Sequence, residues 1–224
     1  MKKLSTYLFL ILFSFHTSTL VADIRDFEIS RFTSHNTIDG IAIGDSLLDY
    51  FSEKEIKDSI VTNPIIKSKK FTYVQISQNS KISDNKKELL AIIKYDEFDF
   101  WYKTNDKNYE IHSISGIIYY DKNIDDCSKK LDELDEEVPT IFKDAKRSIQ
   151  DSAKHSADQS GESTIKQIYY DLKSGGGASF SCTDWSSKMD YSDYLIIIFD
   201  SKEFRQWWSF PGGCDYGSMC YYRY

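Results

Sequence analysis

Proline and glycine are scarce in this chain of 224 residues, at 3 and 10 respectively. So few chain breakers exclude long, flexible linkers and low-complexity tracts. Histidine is rarer still. Past the N-terminal stretch there are only His35, His112 and His155, and none stands at metal-ligand spacing from another or from a cysteine. There is no Cys-x-x-Cys, which excludes the common thiol-redox motif. Basic residues number 28 against 35 acidic ones and form no cluster. That balance argues against nucleic acid or an anionic membrane as a partner. The glycine run Ser174-Gly175-Gly176-Gly177 lacks a following Lys-Ser or Lys-Thr, so it is expected to be a turn and not a phosphate cradle. The expectation is therefore a protein without cofactor or metal.

Long apolar runs are also missing beyond residue 22, since none approaches the ~20 residues a membrane helix requires. The first 22 residues do have the pattern of a secretory signal. Lys2 and Lys3 precede a short apolar core from Leu4 to Phe15, and Thr19-Leu20-Val21-Ala22 offers a cleavage site. Without Lys2 and Lys3 the 28 basic residues become 26 against 35 acidic, a balance of −9. The mature chain is expected to be exported, periplasmic or extracellular, with no transmembrane span.

Four cysteines in an exported chain fit two disulfides, with three possible pairings. Cys214 and Cys220 are close together in a Gly-rich segment that can close a small loop. Pairing them leaves Cys127 with Cys182. In the chain-entropy model, closing so long a loop contributes about 4 kcal/mol.

Hydrophobic residues make up 41% of the chain and aromatic residues 15%, enough for a sizeable core. Apolar positions Ile124, Cys127, Leu131, Leu134, Val138, Ile141, Phe142, Ala145 and Ile149 recur at steps of three and four, the stripe of an amphipathic helix. Pro139 inside it costs about 3 kcal/mol and predicts a kink or two abutting helices. The acidic run Asp132, Glu133, Asp135, Glu136, Glu137 lacks calcium-loop spacing and reads as a solvated helix face. Strands are expected over 71–76, 98–102 and 109–120, with Gly116 a bulge or a point of close approach. More follow over 164–172, 178–183 and 194–199. Leu89 to Ile93 is ambiguous between strand and helix. Short helices are expected after Asp45-Ser46, after the capping box Ser52/Glu55, and after Asp200-Ser201.

The fold class expected is α+β: a mostly antiparallel sheet packed on one long kinked helix, with short helices near both ends. The domain plan is a signal peptide over 1–22, a single domain over 23–210, and an aromatic, disulfide-looped tail over 211–224.

The stretch Ile41-Ala42-Ile43-Gly44-Asp45-Ser46-Leu47-Leu48-Asp49-Tyr50-Phe51, with the helices and strands that follow to about residue 120, resembles the opening of the small envelope-assembly lipoproteins and the β-lactamase-inhibitor-like fold. That likeness implies a helix pair leading into a three-stranded meander. The chain departs from it in lacking a lipid-accepting cysteine and in carrying a second group of strands. The Ile-Gly-Asp-Ser-Leu-Leu opening also resembles that of secreted bacterial proteins of unassigned function. Gly-Asp-Ser-Leu alone is similar to the nucleophile block of a lipase-like hydrolase family, which implies Ser46 as nucleophile. That family carries Asp-x-x-His near its C-terminus, whereas the last histidine here is His155.

Two further groups are candidates. His112 lies in an expected strand, where Asp99 could meet it across the hairpin. Trp185, Trp207, Trp208, Tyr216, Tyr221 and Tyr222 are the aromatics best placed to form a binding surface, the alternative being that Phe204 and Trp207 cap the sheet. The leading functional expectation is a non-enzymatic envelope or extracellular protein that binds a protein or glycan. A serine hydrolase using Ser46 and a purely structural envelope protein are the alternatives.

Overall fold

The computed structural model of the chain describes residues 37–38, 40–61, 69–77, 95–121 and 123–209. The signal segment, the ambiguous run at 89–93 and the tail bearing Cys214, Tyr216, Cys220, Tyr221 and Tyr222 lie outside the described residues.

A two-stranded hairpin, β1 (Thr37–Ile38) and β2 (Ile41–Ala42), opens the described chain. A 3-10 turn over Leu47–Asp49 follows, then α1 (Glu53–Asp58), which starts on the expected Ser52/Glu55 capping box. Next come β3 (Phe71–Ser77), β4 (Glu97–Lys103) and β5 (Ile111–Tyr119). After α2 (Ile124–Ile141) run β6 (Lys146–Lys154), β7 (Thr164–Asp171), β8 (Gly177–Asp184) and β9 (Tyr194–Asp200). The last element is α3 (Lys202–Ser209).

β3 to β9 form a seven-stranded sheet in the order β3-β4-β5-β9-β8-β7-β6, every neighbouring pair antiparallel. The order describes two meanders, β3-β4-β5 and β6-β7-β8-β9, joined where β9 pairs with β5. The mostly antiparallel α+β class is thus the class observed.

Because side chains alternate along a strand, the register assigns each residue to a face. Val74, Phe100, Ile114, Phe199, Ala178 and Tyr170 are cross-strand neighbours on one face. They share the main core with Ile38, Ile41, Leu47, Phe51 and Ile56 from the N-terminal elements and with Cys127, Leu131, Leu134 and Val138 of α2. Burying one such aliphatic side chain contributes about 2 kcal/mol. On the opposite face lie Ser113, Ser115, Ser179, Ser181 and Thr183, all buried.

The long kinked helix from Ile124 to Ile149 is not present. The helix ends at Ile141, and Pro139 lies in its last turn. Phe142 then leaves helical geometry (φ −104°, ψ 56°) and packs its ring near Tyr170 and Phe199. The remainder of the expected helix is β6, an edge strand whose residues are almost all exposed, Ile149 among them at 48%. Ile149 keeps the helical phase by coincidence: it pairs with Ile168 across the ladder. An edge strand exposed on both faces has no alternation to read. Arg147 returns β6 to the helix through two bonds to the Asp135 carboxylate, at 2.7 and 2.5 Å, and Lys166 reaches Asp132 at 2.7 Å. Two of the acidic helix residues therefore have basic partners on the sheet.

Gly116 is a point of close approach. A Cβ there would fall 2.7 Å from the Tyr95 ring. The bulge in that hairpin is instead between Trp101 and Tyr102.

Candidate functional site

The named aromatics that are described, Trp185, Trp207 and Trp208, separate to two ends of the sheet. Ser201 caps α3 by accepting from the Phe204 N–H at 3.1 Å. The helix folds back over the face opposite α2, where Phe204 and Trp207 are buried with Phe71 and Trp101 in a second small core. Ring centroids there are 4.9 Å apart for Phe71–Trp207 and 5.1 Å for Phe71–Phe204. Glu203 bonds Lys103 at 2.7 Å and Lys70 at 3.2 Å, which holds the helix's first turn on β3 and β4. Trp208 packs against this cluster, half-buried. Trp207 is thus buried in this second core and Trp208 lies against it.

Trp185 lies at the far end, just past β8. β5 ends there with Tyr119, and β9 begins there with Tyr194, its register partner. Together with Asp121, Asp190, Tyr191 and Ser192 these residues line an open cleft of about 450 Å³. Tyr119 and Tyr191 are 43% and 55% exposed, whereas Trp185 is only 8% exposed. Trp185 contacts Tyr191 edge-on at 5.1 Å, and Tyr119 meets Tyr194 edge-on at 6.4 Å.

Backbone hydrogen bonds fix this frame. Buried Asp193 accepts the Trp185 N–H on its carboxylate at 2.8 Å, while its carbonyl accepts the Tyr120 N–H at 2.8 Å. One residue therefore joins the β8–β9 loop to the β5–α2 linker. Ser192 donates to Asp121 at 3.4 Å, and the Tyr119 N–H reaches Asp96 at 2.8 Å. Asp121 (φ 43°) and Asp190 (φ 52°) both occupy the left-handed region, which aspartate tolerates better than most side chains. Behind Trp185, Asp158 accepts from the Ser163 N–H, the Ser163 hydroxyl, the Ser160 N–H and the Ser186 hydroxyl. Those donors hold its carboxyl far below the usual carboxylate range. The His155 ring packs on Trp185 at 4.3 Å, and burial lowers its pKa.

The disulfide Cys127–Cys182 belongs to the same frame. It joins the first turn of α2, just after Asp121, to β8 just before Trp185. The expected Cys214–Cys220 bridge falls outside the described residues.

Electrostatically the cleft is acidic. Among the described residues its charged lining is Asp121 and Asp190, with no lysine or arginine. Burial, then the charges of Glu97 and Asp99, push the Tyr119 hydroxyl up to about 12, and burial also raises that of Tyr194. Both are neutral phenols at pH 7. The Trp185 indole N–H is fully buried and has no hydrogen-bond acceptor among the described residues.

The other candidates are occupied differently. Ser46 caps the 3-10 turn, accepting the Leu48 N–H at 3.1 Å and donating to the Asn108 carbonyl at 2.5 Å. His112 does not meet Asp99. Its Nδ1 is 3.1 Å from the Ser201 hydroxyl and its ring lies against Phe71, whereas Asp99 accepts from the Tyr73 hydroxyl. The Ser174–Gly177 run is the β7–β8 hairpin turn, with Gly175 at φ 85°. Among the described residues no group of three or more His, Cys, Asp and Glu could hold a metal ion, and no helix is long and apolar enough to cross a membrane.

Trp185 was legible in sequence as a candidate, but Tyr119, Tyr191, Tyr194, Asp121 and Asp190 were not. The one local signal was Tyr191-Ser192-Asp193-Tyr194, two tyrosines at the mouth of a strand. The chain matches no family model, no curated protein and no solved structure.

Proposed function

We propose that this is an exported, non-enzymatic binding protein of the cell envelope or extracellular space, and that the cleft around Trp185 is its binding site. One observation carries the reading: two exposed tyrosine rings stand on a hydrogen-bonded, disulfide-clamped frame around an open cleft. Its volume is in the range of ordinary ligand sites, ~300–1,000 Å³. Rigid aromatics lose little conformational entropy on binding, so they suit recognition surfaces. Export is supported by the N-terminal charge-and-apolar pattern together with the Cys127–Cys182 bridge, since such bridges persist in oxidising compartments. The partner is a protein or a glycan. The Ser46 hydroxyl is engaged at both its donor and acceptor sides in a turn, which favours binding over hydrolysis.

The test is capture of ligands from envelope extract by the mature chain and by Tyr191→Ala in parallel. A ligand retained by the first and lost by the second supports the reading. Equal capture by both, or capture by neither, would falsify the placement of the site.

A further inference from the structure

The two edges of the sheet are finished differently. Along the outer edge of β3 the Gln75 N–H donates to the Ser59 carbonyl, the Val61 N–H donates to the Tyr73 carbonyl, and Ile60 bridges Val74. Along the outer edge of β6 no described segment bonds the backbone, and every residue of the strand except Ala153 is exposed. An open strand edge is a template for a further strand. What that strand is follows from the core face. There a row of cross-strand neighbours runs through Ile76, Phe98, Gly116, Ile197, Phe180 and Ile168, all buried, and ends at Ile149, which is 48% exposed. We propose that β6 pairs antiparallel with β6 of a second copy of this chain, Ile149 opposite Ile149, so that the apolar row continues from one copy into the next.

Alternation of side chains restricts such a symmetric pair to registers in which one residue lies opposite itself. Centred on Ile149, Arg147 of each copy faces Asp151 of the other, and Lys146 faces Ser152. Centred on Gln150, Lys146 would face Lys154 and Ile149 would face Asp151. Centred on Ser148, Ile149 would face Arg147. Of these three, the first alone sets apolar against apolar and opposite charge against opposite charge, the combinations that stabilise cross-strand pairs. Arg147 is held in place by Asp135 of α2 through two N–H donors, which leaves others for Asp151. The strand bulges after Gln150, with Ser152 at φ 50°, and a lysine stands at each end. Both features keep the pairing short and the dimer weak. Association stops at two copies, because the contact is isologous and the outer edges that remain are β3, bonded by Ser59 and Val61.

Sedimentation equilibrium of the full mature chain tests this from about 10 μM to about 1 mM, the range in which a small interface associates. A monomer–dimer equilibrium is expected. Ile149→Lys sets two lysines opposite each other with one substitution, and should raise the dissociation constant by about tenfold or more. Thermal melts confirm that the variant folds. Tyr191→Ala should leave the dimer unchanged, since the pairing does not use the cleft. Register is read by oxidative cross-linking: Ile149→Cys should link two copies readily, whereas Gln150→Cys, which lies opposite Ser148, should link them poorly. A chain that stays monomeric throughout overturns the proposal. So does a dimer that Ile149→Lys leaves intact, or one that cross-links through Gln150→Cys in preference to Ile149→Cys.

Discussion

The two ends of the sheet both gather aromatic side chains but cover them to different degrees. At the α3 end, Phe71, Trp101, Phe204 and Trp207 bury one another beneath a helix pinned by Glu203. At the other end Tyr119, Trp185, Tyr191 and Tyr194 meet with no described helix over them, and two of the four rings stay exposed. Aromatic content therefore says little about binding; what covers the rings decides it. An amphipathic helix follows β9 directly and closes its end. Among the described residues the opposite end has loops alone, those between β5 and α2, β6 and β7, and β8 and β9, and they frame a cleft without filling it.

The sharpest way to break the contrast is at the covalent clamp. Cys127→Ser with Cys182→Ser should cost about 4 kcal/mol of stability, read by denaturant unfolding. Because the bridge lies between Asp121 and Trp185, the same variant should also lose ligand binding under conditions where it remains folded. At the closed end Trp207→Ala should cost about 3–4 kcal/mol, since it empties a buried aromatic site. Its effect on binding should be nil in the folded fraction. Gly116→Ala should cost about 1–3 kcal/mol, because the new methyl meets the Tyr95 ring and one of the two must move. At the open end Tyr191→Ala should change stability by no more than about 0.5 kcal/mol, as expected for an exposed side chain, while removing binding. A loss of several kcal/mol at Tyr191 would mean that this end is core as well.

Acid should act on both ends. Burial holds the pKa values of His112 and His155 below the usual histidine value. The unfolded chain then takes up protons that the folded chain refuses, so stability is full above about pH 6.5 and falls as the pH drops toward the folded values. Melting temperature measured from pH 7 down to pH 5 should decline, and His155→Phe should remove part of that decline. A flat profile would contradict the burial assigned to both rings.

How far these features can be read in advance depends on how local their causes are. β3, β4, β5, β7 and β8 announce themselves because one face of each is core, which writes alternation into the sequence, and β9 because Leu195 to Phe199 is an unbroken apolar run. The Ser52/Glu55 box and the Ser201 cap are legible because their partners lie within three residues. Pairing Cys127 with Cys182 followed from the closeness of the other two cysteines. β6 was illegible because Lys146 to Lys154 is nearly all exposed, so neither face leaves a pattern, and Ile149 falls by chance in the phase of the preceding helix. The cleft was illegible for a different reason. Tyr119 and Tyr194 are far apart in the chain and meet only through the β5–β9 register, which hydrophobic patterning does not specify.

The measurement that goes most directly to the contrast is the indole region of a two-dimensional nitrogen–proton NMR spectrum. The chain has four tryptophans, so four side-chain N–H signals report on the two ends separately. On titration with a ligand captured by the mature chain, the Trp185 signal should shift strongly while those of Trp101, Trp207 and Trp208 stay where they are. Movement of the Trp207 or Trp208 signal with Trp185 unmoved would place the binding site at the wrong end of the sheet for this account.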